Sequence, residues 1–163
     1  MSRIRTGTAS ALALALALTF APAAMAGTVA ESLSINSVLN VSGIPATINY
    51  GAMDQLTTSA TQTFTVNVTS NAPYVFKLSG SDFTGPATIA KTAREAQIGL
   101  AANVTMNAPA GWTNFGNAAY NGTNPVVTGN TGASNFNVDL RVTVPAAAPG
   151  AYTGTLTYTV SAL

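Results

Sequence analysis

The side chains able to do acid–base or metal chemistry are few. Five are carboxylates, Glu31, Asp54, Asp82, Glu95 and Asp139, and past the first five residues only Lys77, Lys91, Arg94 and Arg141 are basic. Histidine and cysteine are absent, which removes the commonest general base near neutral pH, the commonest metal ligand and the thiolate nucleophile. A Ser-His-Asp triad cannot be assembled, and a Ser-Lys nucleophile needs Lys77 or Lys91 desolvated beside a serine. Lys77 lies in Tyr74-Val-Phe-Lys-Leu78, where period-two alternation points it away from Tyr74, Phe76 and Leu78 and into solvent. The carboxylates are widely spaced, none in a D-x-D-x-D calcium loop. A glycosidase pair needs two of them in one cleft, which a small sandwich seldom offers. Asp82, within Gly80-Ser-Asp-Phe-Thr-Gly85, reads as a side chain folding back on its own turn. The expectation is a protein that is not an enzyme and uses no cofactor or metal.

Binding chemistry has more to draw on. Trp112, Phe115 and Tyr120 fall in residues 107–133, a stretch crowded with Asn, Gly, Ala and Pro that reads as a long loop. Large apolar groups ordinarily seek burial, so these three read first as a plug for one end of the fold. As an exposed cluster they are instead the candidate contact residues of an adhesin or carbohydrate-binding module.

The elements that must position these residues are strands. Residues 136–144 put Phe136, Val138, Leu140, Val142 and Val144 on one face and Asn137, Asp139, Arg141 and Thr143 on the other, the alternation of a half-buried strand. Residues 151–160 repeat it with Tyr152, Leu156, Tyr158 and Val160 against four threonines, after a turn made of Pro145-Ala-Ala-Ala-Pro-Gly150. Residues 63–69 and 74–78, joined through Asn71-Ala-Pro73, form another such pair. Further candidates are 32–41, 46–50 and 98–106, while 87–97 offers the one plausible helical turn. Together they predict an all-β fold, an immunoglobulin-like antiparallel sandwich of about seven to eight strands.

The N-terminus has the three regions of a secretory signal. Arg3 and Arg5 precede an apolar run over 11–20, and Ala24-Met-Ala26 supplies an A-x-A exit. The run is shorter than the roughly 20 residues a membrane span needs. The expected organisation is a leader over 1–26 and one domain over 27–163, secreted to an extracellular or cell-surface location, with no transmembrane segment after signal removal. The whole chain carries a net charge of +1, but loss of Arg3 and Arg5 leaves four basic against five acidic side chains. So few cations cannot neutralise a run of phosphates, which excludes nucleic acid as a partner. A Thr- and Asn-rich surface with little charge does not repel copies of itself.

The order of motifs Ile48-Asn-Tyr-Gly51, Tyr74-Val-Phe-Lys-Leu-Ser-Gly-Ser-Asp-Phe-Thr84, Ile98-Gly-Leu-Ala-Ala-Asn-Val-Thr-Met106 and Gly150-Ala-Tyr-Thr-Gly-Thr-Leu-Thr-Tyr-Thr-Val160 resembles the WxL domain of bacterial surface proteins. Tyr74 and Tyr158 stand where that family has its signature tryptophans. The resemblance implies noncovalent attachment to a cell-wall polymer, with Tyr74 and Tyr158 as candidate contact residues. Tyr50-Gly51-x-x-Asp54, Ser70-Asn-Ala-Pro-Tyr74 and the closing Gly150-Ala-Tyr152 segment also resemble spore-coat-U-type and other pilin-like sandwiches. That resemblance implies copies of the same chain as partners, with an N-terminal strand lent to a neighbour's open sheet. Residues 27–38, where Leu33 and Ile35 alternate, are the segment to lend. The sequence thus points to a structural protein of the cell surface acting by wall association or self-assembly.

Overall fold

The computed structural model describes Leu33 and residues 36–163. The leader over 1–26 and most of the segment 27–38 lie outside the described residues. The chain divides into two units, Met1–Ile35 and Asn36–Leu163, and the architecture below is that of the second.

Eleven strands follow in chain order: β1 (Leu39–Ser42), β2 (Gln62–Ser70), β3 (Tyr74–Gly80), β4 (Phe83–Thr84), β5 (Thr88–Ile89), β6 (Arg94–Ala102), β7 (Val104–Met106), β8 (Thr113–Asn114), β9 (Val127–Gly129), β10 (Gly132–Val142) and β11 (Leu156–Ala162). Short 3-10 turns lie at Lys91–Ala93 and Ala118–Tyr120. One sheet has the order β1-β2-β10-β6-β8, the other β11-β3-β9-β7, and β4 pairs with β5 alone. Every pairing is antiparallel. The expected all-β sandwich is therefore the observed fold, and eight of the strands have three residues or more.

The alternation read from sequence is the alternation that packs. In β10, Phe136, Val138, Leu140 and Val142 are buried and the residues between them face outward. Val66 and Val68 of β2 and Ala96 and Ile98 of β6 join them on the inner face of the first sheet. Tyr74, Phe76 and Leu78 of β3 and Val127 of β9 meet them from the second sheet. Across the layers Phe76 and Phe136 pack edge to face, 4.9 Å between centroids, the geometry that ring quadrupoles favour. Lys77 turns outward as its register requires.

Four segments differ from expectation, each for a local reason. Residues 46–50 form no strand: Gly43 takes a φ of +85°, Pro45 has no N–H to donate, and the Gly51 N–H closes back on the Asn49 side chain at 2.8 Å. Residues 87–97 do hold the expected helical turn, as the 3-10 turn Lys91–Ala93, but on either side of it they are strand, in β5 and the start of β6. The last strand starts at Leu156 and not at Ala151, because Thr153 is bridged to Thr84 and Gly154 lies against the Arg94 guanidinium. Within 107–133, the β-branched pair Val126-Val127 is fully buried and opens β9, so only part of that stretch is loop. Asn103, in the left-handed region at φ 60°, lets the chain step from β6 in one sheet to β7 in the other.

Candidate functional site

Phe115 and Tyr120 take the plugging role. Both are fully buried, their rings stack with centroids 5.2 Å apart, and the Tyr120 hydroxyl donates to the Ala96 carbonyl at 3.3 Å. Burial pushes the Tyr120 hydroxyl pKa up to about 12. Trp112 goes elsewhere. It is half-buried, with the Arg141 guanidinium 4.2 Å from its ring centroid, and Arg141 in turn bonds Glu95 at 2.6 Å. Arg141 and Glu95 are directly paired on the outward face of β10 and β6, so Trp112 covers an ion pair instead of joining Phe115 and Tyr120. The three aromatics do not converge on one surface.

Tyr74 is also wholly internal. Its hydroxyl bonds Ser134 across the core, and its ring fills the space over Gly129, where an added Cβ would sit 2.0 Å from the ring. It has no face left for a polymer. Tyr158 is the exception, being 47% exposed while stacking on Phe76 at 6.4 Å. The carboxylates stay apart. Asp139 accepts from the Thr63 hydroxyl and Glu95 is paired with Arg141. Asp82 accepts from the Lys91 N–H, nine residues on and not in its own turn. Among the described residues no group of three acidic side chains is close enough to hold a metal ion.

What the structure does bring together is a groove beside β11. It encloses about 880 Å³, and its walls include Ile44, Tyr50, Phe64, Arg94, Leu156 and Tyr158. The groove exists because the core thins out toward this side: Val66 and Val68 of β2 are fully buried, but Phe64 on the same face is only half-buried. Leu156 and Val160 of β11 are likewise half-covered. The residues after Gly43 run as a loop along the opening instead of as a strand, so β11 keeps one hydrogen-bonded neighbour, β3.

Two charged side chains line the groove, Asp54 and, out of ion-pair reach of it, Arg94. Arg94 is only 3% exposed, with its guanidinium 4.2 Å from the Phe83 centroid and 5.4 Å from that of Phe115. Nη1 donates to the Thr155 carbonyl at 3.0 Å, while the buried Nε has no partner. Gly80 and Gly154 make the room, since a Cβ at either would lie 2.7 or 2.8 Å from the guanidinium nitrogens. Burial lowers the Arg94 pKa and raises that of the neighbouring Tyr50, each partly offset by the attraction between them. Among the described residues the one ion pair is Arg141 with Glu95, so Arg94 sits desolvated without a carboxylate. Sequence reading passed over it, although Arg94, Ala96 and Ile98 share one alternation and an arginine in that register must point inward.

No family model, no characterised protein and no solved structure matches this chain. Among the described residues no helix is long and apolar enough to cross a membrane.

Proposed function

We propose that this protein is an exported, non-enzymatic structural subunit that associates with copies of itself by adding a strand to the free edge of β11. The observation that carries the reading is the contrast among the four edges of the two larger sheets. Two are very short, β7 with three residues and β8 with two, and β1 has four. The fourth, β11, is seven residues of Leu-Thr-Tyr-Thr-Val-Ser-Ala, without a charge or a proline. Proteins that stay monomeric ordinarily blunt such an edge with lysine, proline or a bulge, because its unpaired N–H and C=O groups template another strand. Here the unblunted edge borders an apolar groove, so an added strand gains side-chain burial along with backbone hydrogen bonds. A surface with little net charge favours the same outcome.

Attachment to a cell-wall polymer is the other reading that the sequence suggested. Of its two tyrosines only Tyr158 reaches the surface, and it does so at the β11 edge.

The test is the native protein from producing cells on an unboiled gel and in the electron microscope. Self-association gives ladders or filaments that Thr159→Lys, a charge on the exposed edge, reduces to monomer. A wild-type chain that is freely soluble and monomeric at every concentration rejects the reading. Release from sacculi by denaturant alone, with no ladders, favours wall attachment.

A further inference from the structure

The desolvated guanidinium of Arg94 and the open β11 edge belong to one groove, and their conjunction specifies what enters it. A buried charge without a counter-ion is costly, and the cost falls when a carboxylate takes the free donors of the guanidinium fork. The occupant should therefore be an extended, largely apolar segment with a single acid. This chain contains one. Between Arg5 and Asp54 the only charged side chain is Glu31, and alternation places Glu31 on the same face as Leu33 and Ile35. Leu33 is 85% exposed in the structure, so its side chain is available to a partner.

We infer that residues 27–35 of a second copy add to the β11 edge with the Glu31 carboxylate set on Arg94, which fixes the register of the joint. The inference rests on the strand-addition reading above. Lengths agree. Glu31 to Ile35 spans about 13 Å as a strand, the same as Leu156 to Val160. In a parallel register Leu33 comes to Tyr158 and Ile35 to Val160, while Glu31 falls at the Leu156 end, next to the Thr155 carbonyl that already holds Arg94. A slip of one residue turns Glu31 and both apolar side chains away from the groove. The buried pair thus acts as a registry device, the best-attested use of a buried ionic contact.

The experiment uses a fluorescein-labelled peptide of residues 27–35 and the same peptide with Glu31→Gln. Each is titrated by anisotropy onto the full chain refolded in its presence. Wild-type peptide should bind at least tenfold more tightly than the Glu31→Gln peptide, and the difference should vanish on a chain carrying Arg94→Met. Since the peptide substitution leaves the domain itself unaltered, the first comparison stands even if Arg94→Met fails to fold. Equal affinity of the two peptides overturns the Glu31–Arg94 joint and leaves strand addition intact. Failure of both peptides to bind overturns strand addition as well. Decanoate added alone is the control for a small carboxylate ligand: if it saturates the groove and neither peptide binds, Arg94 serves such a ligand and the proposal is rejected.

Discussion

Two adjoining regions that meet at Arg94, a sealed one around Phe115 and an open one beside β11, solve the same problem in opposite ways. Near β8, Phe115 and Tyr120 fold in from the loop, stack on each other and close the space between the sheets, with Trp112 and the Arg141–Glu95 pair covering the outer face. Beside β11, Tyr50, Phe83 and Tyr152 line the opening without filling it. Phe64, Leu156 and Val160 stay half-covered, Tyr158 is exposed, and a desolvated Arg94 lies in the wall. The sealed region spends its aromatic residues on stability, and the open region keeps apolar surface and backbone edge in reserve for a partner. A protein that only had to fold would gain by sealing both.

Substitutions should separate the two regions sharply. Tyr120→Ala in the sealed region removes a fully buried ring and one side of a stack, and should cost about 3–5 kcal/mol of unfolding free energy in a denaturant titration. Gly129→Ala drives a methyl into the Tyr74 ring and should cost about 1–3 kcal/mol by overpacking, also read in denaturant. If either is neutral, the packing around that residue is not rigid. Alkali makes a third distinction. Tyr120 has a folded pKa of about 12 against an ordinary 10.0, so its contribution is complete below pH 10. It is lost as the pH climbs from 10 to about 12, because the unfolded chain releases the proton first. The stability of monomer should fall there by about 1.4 kcal/mol per pH unit from this group, and Tyr120→Phe should reduce the slope, leaving what Tyr50 and Tyr74, also raised by burial, contribute.

In the open region the expected effects on folding are smaller. Tyr158→Ala takes away a ring that is already half in water. It should cost about 1 kcal/mol or less on unfolding, well under the burial of a whole aromatic, yet weaken ladder formation on the unboiled gel. A large loss of folding stability would show that β11 belongs to the closed core after all. The smallest change should come from Glu95→Gln, which breaks a partly exposed ion pair worth about 0–1 kcal/mol and leaves Trp112 over Arg141.

The sealed layers were legible because they depend on alternation, a property of neighbouring residues. Residues 136–144 and 63–69 announced their buried faces outright, and Lys77 was placed correctly from its own strand. The open region was not legible for the complementary reason. Residues 46–50 carry a strand-like composition, but they become the lip of the groove because Gly43 takes the chain off the end of β1 in a left-handed turn packed tightly on the Thr65 carbonyl of β2. The joint sequence pattern of Arg94, Gly80, Phe83 and Gly154 carries no local signal, since those residues are brought together only when β3, β6 and the approach to β11 fold.

By itself, then, the sequence determined the class of the fold and the poverty of its chemistry: period-two faces rich in threonine, no histidine, no cysteine and hardly any charge. Those are consequences of composition and of near-neighbour spacing. Only the tertiary structure decided which strand would be left at an edge, which aromatics would plug and which would stand in water, and that one arginine would be buried without a counter-ion. Each of these depends on which residues far apart in the chain finish side by side, and alternation along a strand does not encode its neighbours.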